Sequence, residues 1–418
     1  MQGEIITIGN ELTSGRVLDL NAYYAAGRLT ASGLKITRVT TVGDDAVRVA
    51  RAVSEALEDS QFVIITGGLG STEDDLTNEA VAEALHRPLC LDREKLEQIR
   101  RYIESRGMRM TSSLEKMAWV PKDARALTCT EDMCGFSILE GKARLYFLPG
   151  VPEQMRFLLD NCVLPEILHS CESLPLLGYR VLKVFGLSEP AIAETLKGLS
   201  RQGEELILGF YPRFPENHIT ISLKGFDETA MTRELDRMEA EIRSRLGACV
   251  FGSGTETLAV VVGDLLRRRG LTLSTAESCT GGLIGNLVTD VPGSSTYFLG
   301  GVVVYGNQAK MDLLQVPRET LNGHGAVSDP TVRQMAEGLR MVMKADLGLA
   351  VTGIAGPDGG SPEKPVGTVH IGLAAGSETL SGKYAFRGRR EQVKLKTAMM
   401  ALDWVRRFLH GDPFLPGL

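Results

Sequence analysis

Aromatic residues make up only 6% of this 418-residue chain, too few for a surface that works mainly by stacking on nucleic-acid bases. No apolar run approaches the ~20 residues that cross a bilayer. The start, MQGEIITIGN, lacks the basic-then-apolar pattern of a signal segment. The seven cysteines, at 90, 129, 134, 162, 171, 249 and 279, form no paired short-spacing array. Their odd number points to reduced thiols and a cytoplasmic location. Basic side chains (46) are outnumbered by acidic ones (52), and the net charge of −6 argues against a broad phosphate-binding surface or direct nucleic-acid contact. Two nucleotide motifs are also missing: no GxxxxGK[ST] loop occurs, and no GxGxxG follows the first strand. P-loop phosphate handling and a dinucleotide Rossmann site are therefore disfavoured.

What is present reads as folded protein. Hydrophobic residues at 43% and charged residues at 23% suit a chain with a sizeable core, and ~150 residues per domain implies two or three domains. Forty-six glycines without a G-X-Y period mean many tight turns and close backbone approaches. EIITIGN reads as a strand running into a polar turn, NELTSG, followed by a helix over 21–32 and a second strand in LKITRVTTVGD. Ala46, Val49, Ala50, Val53, Ala56 and Leu57 recur at helical spacing. FVIITGGLG is a short, nearly all-apolar run ending in glycines, the pattern of a central parallel strand meeting a loop. We expect an α/β domain over 1–170, a small α+β linking domain over 171–250, and a second α/β domain over 251–418, with GACVFGSGTET as the connector before the last. The fold class is thus α/β: two α/β layer domains joined by a small α+β domain.

The first chemical constellation is TGGLGSTEDDLTNEA, between a buried strand and a helix. Gly67, Gly68 and Gly70 allow a sharp turn that exposes amides, and Ser71 and Thr72 can cap the helix or donate to a phosphate. Asp74 and Asp75 oppose a bare phosphate but favour one through a divalent cation. Asp44 and Glu11, also at strand ends, converge on the same rim in a parallel sheet. Oxygen ligands leave the metal open among Mg²⁺, Mn²⁺ and Co²⁺. The plainer alternative is a glycine turn with aspartate caps.

The second constellation is STAESCTGG, which places Ser278 between an extended segment and a helix starting near Gly281. A serine so placed can present its hydroxyl while amides from Cys279 through Thr280, Gly281 and Gly282 face a developing oxyanion. It needs a base. His324 lies in a turn and His370 inside a strand, and neither suits that task. Lys310, in GGVVVYGNQAKMDLL, is the better base once desolvated, and Tyr305 could share its hydrogen bonds or shuttle a proton. Together they suggest amide or ester hydrolysis through an acyl-enzyme. Cys279 reads as a packing residue, because no cysteine–histidine pair accompanies it. VTGIAGPDGGSPEKPVG can wrap a ligand, with Thr352, Gly353 and Gly356 as donors and Asp358 and Glu363 facing a ribose or solvent.

Two resemblances sharpen these readings. IGNELTSGRVLD, TTVGDD, ITGGLGSTEDDLT and LPGVPEQM resemble the molybdopterin-binding domains of molybdenum-cofactor biosynthesis proteins. AESCTGG, FLGGVVVYGNQAK, GAVS and VTGIAGPDGGSPEKPVGTVHIG resemble the carboxy-terminal domain of the competence/damage-inducible CinA family, and the likeness spans nearly the whole chain. It implies nicotinamide mononucleotide deamidase activity, with catalysis carried by Ser278, Tyr305 and Lys310 and no cofactor required. For the first domain it implies metal-dependent ADP-ribose pyrophosphatase activity, with metal at Asp44, Asp74 and Asp75 and phosphate at Gly67, Gly68 and Gly70. Gly306 departs from the family pattern, which has serine or threonine after the tyrosine.

The likeness also implies a KH-type unit in the middle, where no basic G-X-X-G loop occurs, so a spacer or dimer contact is the expected role there. The expected partners are nucleotides and a second copy of the chain, as a homodimer, with neither membrane nor nucleic acid. Two other classes stand beside the enzyme: a pterin- or nucleotide-binding scaffold with a non-catalytic first domain, and a competence factor acting through protein partners.

Overall fold

The computed structural model describes residues 1–127, 135–171, 175–199 and 206–415. The chain divides into two compact units, 1–177 with 224–228, and 178–223 with 229–418.

In the first unit, β1 (Gln2–Ile8), β2 (Lys35–Val42), β3 (Phe62–Thr66), β4 (Leu89–Leu91), β5 (Trp119–Pro121), β6 (Arg125–Ala126), β7 (Phe136–Glu140) and β8 (Ala143–Leu148) follow in chain order. Six of them form one sheet in the order β2-β1-β3-β8-β7-β6. The β2-β1-β3-β8 pairs are parallel, whereas β7 and β6 add an antiparallel edge. β3 is buried along its whole length, and its period of two explains why. Phe62 and Ile64 enter one core with Met155 and Leu158, while Val63 and Ile65 enter the opposite core with Val49, Val53 and Val81. Both faces are therefore covered by helices, and the sheet's rim is left for loops.

Three features differ from the sequence reading. NELTSG includes a one-turn helix, Asn10–Thr13, in place of a plain turn. The segment 89–121 carries a two-stranded β4-β5 sheet and two helices with their own small apolar cluster around Ile99, Ile103 and Ala118. Cys162 is disulfide-bonded, against the expectation of reduced thiols throughout, while Cys90, Cys171, Cys249 and Cys279 are free. Pairing follows which cysteines the fold brings within bonding distance, which spacing along the chain does not report.

The second unit contains two sheets. β9 (Leu176–Val184), β10 (Leu206–Arg213), β11 (Glu216–Gly225) and β12 (Val250–Ser253) are ordered β10-β11-β9-β12, with the helix Glu228–Leu246 contributing to their core. β12 lies in the glycine-rich segment expected as a connector; it pairs antiparallel with β9 across a bulge after Val250. The other sheet runs β14-β13-β15-β16-β17, from β13 (Leu273–Glu277), β14 (Phe298–Val303), β15 (Leu347–Gly353), β16 (Thr368–Ala375) and β17 (Glu378–Ala385). Its first three strands are parallel and its last two antiparallel. The long helix Arg390–His410 packs in one core with Leu273, Leu349 and Val351. Ala276, Ala350 and Ala374 point into the other, among the helices 307–314 and 329–343. The architecture is mixed α/β with several sheets, and the parallel strands in each large sheet end on a rim of glycine-rich loops.

Candidate functional site

Ser278 is the first residue beyond β13, and its amide donates to the Val351 carbonyl at 3.1 Å. The loop after it is folded back by Glu277, a buried carboxylate that accepts three backbone amides. Gly282 and Ile284 donate to its Oε2 at 2.9 and 3.0 Å, and Gly285 to its Oε1 at 2.8 Å. Three N–H bonds are what a buried carboxylate without a cation needs. They also bring the chain to the start of the helix Leu283–Thr289, with Gly281 and Gly282 in the left-handed region at φ 62° and 95°. One expectation changes here. The Gly282 amide belongs to Glu277, so it is not an oxyanion donor; among the described residues the amides of Cys279, Thr280 and Gly281 have no other partner.

Lys310, 1% exposed, projects from the helix Asn307–Leu314 to the same point. Its Nζ lies 2.7 Å from the Val304 carbonyl, 3.2 Å from the Tyr305 carbonyl and 3.3 Å from Ser278 Oγ. Burial pushes its pKa below the ordinary lysine value, with Cys279 opposing weakly. A neutral amine has two hydrogens and one lone pair. Carbonyl oxygens only accept, so in the neutral form the two hydrogens would go to Val304 and Tyr305 and the lone pair would be left for the Ser278 hydroxyl. That is the arrangement of a general base. Cys279 is no rival nucleophile, because burial pushes its thiol up to about 12.

Tyr305 stands apart from this pair. Its side chain is 62% exposed, and its hydroxyl accepts from Arg390 Nη2 at 3.1 Å. The residue meets Lys310 through its carbonyl, not its phenol, because it lies in the turn between β14 and the next helix with its ring directed outward. Arg390 Nη1 also donates to the Gly356 carbonyl at 2.7 Å, tying the glycine-rich loop to Tyr305. Glu277 and Arg390 were not singled out from the sequence. Their signals, an acid just before the serine and a basic pair opening the last helix, have no meaning until the loops are folded.

The remaining candidates in this unit divide clearly. Thr280 is fully buried, with Oγ1 lacking a partner among the described residues. Thr352 is also buried, and its hydroxyl donates to the Ala326 carbonyl at 2.9 Å, so it braces a loop. Gly353 is pressed against the Thr368 carbonyl of β16, and Gly356 sits at φ 81° against Val366. Asp358 and Glu363 are exposed. His324 lies on the surface, while His370 is buried on β16, with its pKa lowered by burial.

In the first unit, Glu11, Asp44, Gly67, Gly68, Gly70, Asp74 and Asp75 line one cavity of about 390 Å³ at the end of the parallel strands. Gly67 and Gly68 have φ of 110° and 66°, and a Cβ there would collide with the Ile8 carbonyl and with Thr77 Oγ1. The Gly67 amide is spent on the Leu148 carbonyl at 3.2 Å. Both glycines are thus required by the turn itself, and the amides of Gly68, Gly70 and Ser71 are not taken up by the loop's own hydrogen bonds among the described residues. Thr72 and Asp75 bind each other: the Thr72 amide donates to Asp75 Oδ2 at 2.8 Å, and its hydroxyl also donates there. Asp44 accepts from the Asn10 amide at 2.8 Å. Burial raises its pKa, and the nearby charges of Glu11, Asp74 and Asp75 add to the rise.

The donor set suits a hard divalent cation, whose charge would relieve that repulsion. The acids are not preassembled as ligands, however: among the described residues no group of three His, Cys, Asp or Glu side chains is placed to hold an ion.

Comparison with known proteins agrees with this layout. Residues 255–409 match the family model "CinA C-terminal domain", residues 4–169 "Probable molybdopterin binding domain", and residues 179–252 "Damage-inducible protein CinA KH domain". A CinA-like protein of Geotalea uraniireducens is 40% identical over 97% of this chain and 96% of its own. The chain belongs to the CinA family. A second CinA-like relative, from Citrifermentans bemidjiense, is 41% identical over the full length of both chains. Among solved structures, the competence/damage-inducible protein CihA of Agrobacterium tumefaciens is 43% identical; the match covers 37% of this chain and 93% of that one, with a TM-score of 0.36. No described helix is long and apolar enough to cross a membrane.

Proposed function

We propose that this CinA-family chain hydrolyses the carboxamide of nicotinamide mononucleotide to nicotinate mononucleotide and ammonia, at Ser278. The observation that carries the reading is the buried Lys310 Nζ, held by the Val304 and Tyr305 carbonyls and 3.3 Å from Ser278 Oγ. Lys310 takes the hydroxyl proton as Oγ attacks the carboxamide carbon. Amides of Cys279, Thr280 and Gly281 receive the charge that builds on the carboxamide oxygen. The C–N bond breaks as the Lys310 ammonium returns its proton to the leaving nitrogen, and ammonia departs. Water, losing a proton to Lys310, then cleaves the Ser278 ester, and the same proton restores the hydroxyl. Tyr305 and Arg390 brace the loops around the substrate instead of relaying protons.

In the first unit we propose cleavage of ADP-ribose to AMP and ribose 5-phosphate. Asp44, Asp74 and Asp75 would hold a divalent ion, and the free amides of Gly68 and Gly70 a phosphate oxygen. The ion, when bound, supplies charge neutralisation on the pyrophosphate. The absence of a preassembled acid cluster among the described residues also suits a second reading, in which this cavity binds a nucleotide or pterin without turnover.

Ammonia release from nicotinamide mononucleotide by the full-length chain, paired with Ser278→Ala, tests the main proposal. Release that disappears in the variant is the expected result. Release unaffected by the substitution, or none from folded wild-type protein, rejects the assignment.

A further inference from the structure

Glu277 leaves the Ser278 loop with a standing negative charge. The three amides that meet its buried carboxylate satisfy its hydrogen bonds but carry no net charge. In the reaction proposed above, a second negative charge builds on the substrate oxygen beside the same loop. The Lys310 ammonium that forms in that step offsets one of the two. The other has no counter-charge from the step itself, and like charges in a partly desolvated site repel strongly.

Lys394, half-buried near the start of the helix Arg390–His410, is placed to supply one. Its Nζ lies 3.8 Å from where a Cβ on Gly281 would stand, the nearest atom that the rest of the fold brings to that point. Cys279 lies at the other end of the same three free amides. Burial is the main cause that raises its thiol; among the charged groups, Glu277 adds to the rise, while Lys310 and Lys394 act against it. One carboxylate and two amines therefore converge on one short loop. Lys394 makes no ion pair and no hydrogen bond among the described residues, although Glu391 stands three residues before it and the chain carries a net charge of −6. The loops of Tyr305 and Gly356 are tied by Arg390, so the nearest polar surface to the Lys394 ammonium is the amide loop.

We propose that the Lys394 ammonium stabilises the oxyanion formed on the carboxamide oxygen as Ser278 attacks, offsetting the standing charge of Glu277. Lys394 gives and takes no proton: the Oγ–C bond forms, the carbonyl pair moves to oxygen, and the hydroxyl proton passes to Lys310. The ground-state carboxamide is neutral, so the cation favours the transition state over the bound substrate and acts on kcat. The inference rests on the amidase reading of Ser278 and adds a residue that reading does not require.

The test measures ammonia release from nicotinamide mononucleotide and from nicotinamide riboside by full-length wild type, Lys394→Met and Lys394→Arg. Loss of one cation beside an oxyanion corresponds to about a 10- to 100-fold fall in kcat for Lys394→Met, with KM little changed. The fall should be the same for both substrates, and Lys394→Arg should recover most of it. Pyridine-3-boronic acid gives a second readout, because its boron becomes a tetrahedral anion on a serine oxygen and it carries no phosphate. Its Ki should rise in Lys394→Met by the factor lost from kcat. A kcat unchanged in Lys394→Met overturns the proposal, as does a loss confined to KM of the nucleotide, which would assign the lysine to the phosphate. A fall in kcat without any change in Ki also overturns it, because the lysine then only supports the loop. Should the wild type release no ammonia, the amidase reading fails on its own, and binding of the boronic acid to folded protein decides. Affinity that needs Lys394 sustains the electrostatic role; affinity indifferent to it, or none, overturns it.

Discussion

Lys310 Nζ and Ser278 Oγ lie 3.3 Å apart at the end of β13, and the other two contacts of that nitrogen are carbonyls that can only accept. Burial disfavours the ammonium, so Lys310 releases its proton at a lower pH than the ordinary lysine value of 10.5. In the role proposed for it, Lys310 works only when neutral. Ammonia release should therefore rise with pH through this lowered pKa and level off before an exposed lysine would titrate. Lys310→Arg keeps the charge and the donors but cannot surrender a proton. Its kcat should fall about 100-fold or more at every pH, and a pH–rate profile of the two proteins checks this. A near-normal rate in the arginine variant would remove Lys310 from the base role.

The Cys279 thiol is next to Ser278, the proposed nucleophile, yet burial pushes it up to about 12. Almost no thiolate exists near neutral pH. Cys279→Ala should release ammonia at a rate close to that of the wild type, and thiol alkylation under native conditions should leave this position unlabelled by mass spectrometry. Inactivation of the alanine variant without loss of folding would contradict the serine assignment.

Tyr305 offers its carbonyl to Lys310 and its hydroxyl to Arg390. Tyr305→Phe keeps the first and deletes the second. The expected loss is under about tenfold in kcat/KM, the scale of one solvent-exposed hydrogen bond, and it should appear in KM. A loss of 100-fold in kcat would instead place the phenol in a proton relay.

Much of the scaffold was legible because it is set by local pattern. The nearly all-apolar run in FVIIT reports a strand covered on both faces; of Val332, Met335, Ala336, Leu339, Val342 and Met343, whose spacing marks one face of the helix Asp329–Met343, the first four are buried, whereas Val342, near the helix end, is exposed. The position of Ser278 at a strand–helix junction also came from local context. What escaped depends on contacts between distant residues. β12 reads as a connector because its glycines mask a pairing with Leu182–Val184, roughly seventy residues earlier. Arg390 meets Tyr305 across 85 positions, and no periodicity records such a distance. The 89–121 segment hides for the same reason: its strands are three residues each and pair only with each other.

Glu277 shows how an unremarked residue can govern the site. Its carboxylate holds the Gly282, Ile284 and Gly285 amides, so Glu277→Gln replaces one acceptor oxygen by an NH₂ that faces N–H donors. The unsatisfied donors cost about 1–3 kcal/mol, and loss of the charge adds to this. We expect a lower urea midpoint with the slope unchanged, together with a fall in kcat as the Cys279–Gly281 amides lose their setting. If stability drops while kcat holds, the loop's amides do not serve the reaction.

Metal removal should separate the two units. Burial raises the Asp44 pKa and the neighbouring acids around the first cavity add to the rise; a divalent cation is the group that would offset that charge, and nothing at Ser278 or Lys310 calls for one. Chelation by EDTA should therefore abolish ADP-ribose cleavage while leaving ammonia release intact, and added Mg²⁺, Mn²⁺ or Co²⁺ should restore the former. Asp44→Asn should weaken metal activation about tenfold or more, since it removes one ionised oxygen ligand while keeping the side-chain size and an acceptor for the Asn10 amide. ADP-ribose cleavage that persists in EDTA would dismiss the metal proposal. Absence of cleavage under every metal, with tight binding of the nucleotide retained, would make the first cavity a binding site alone.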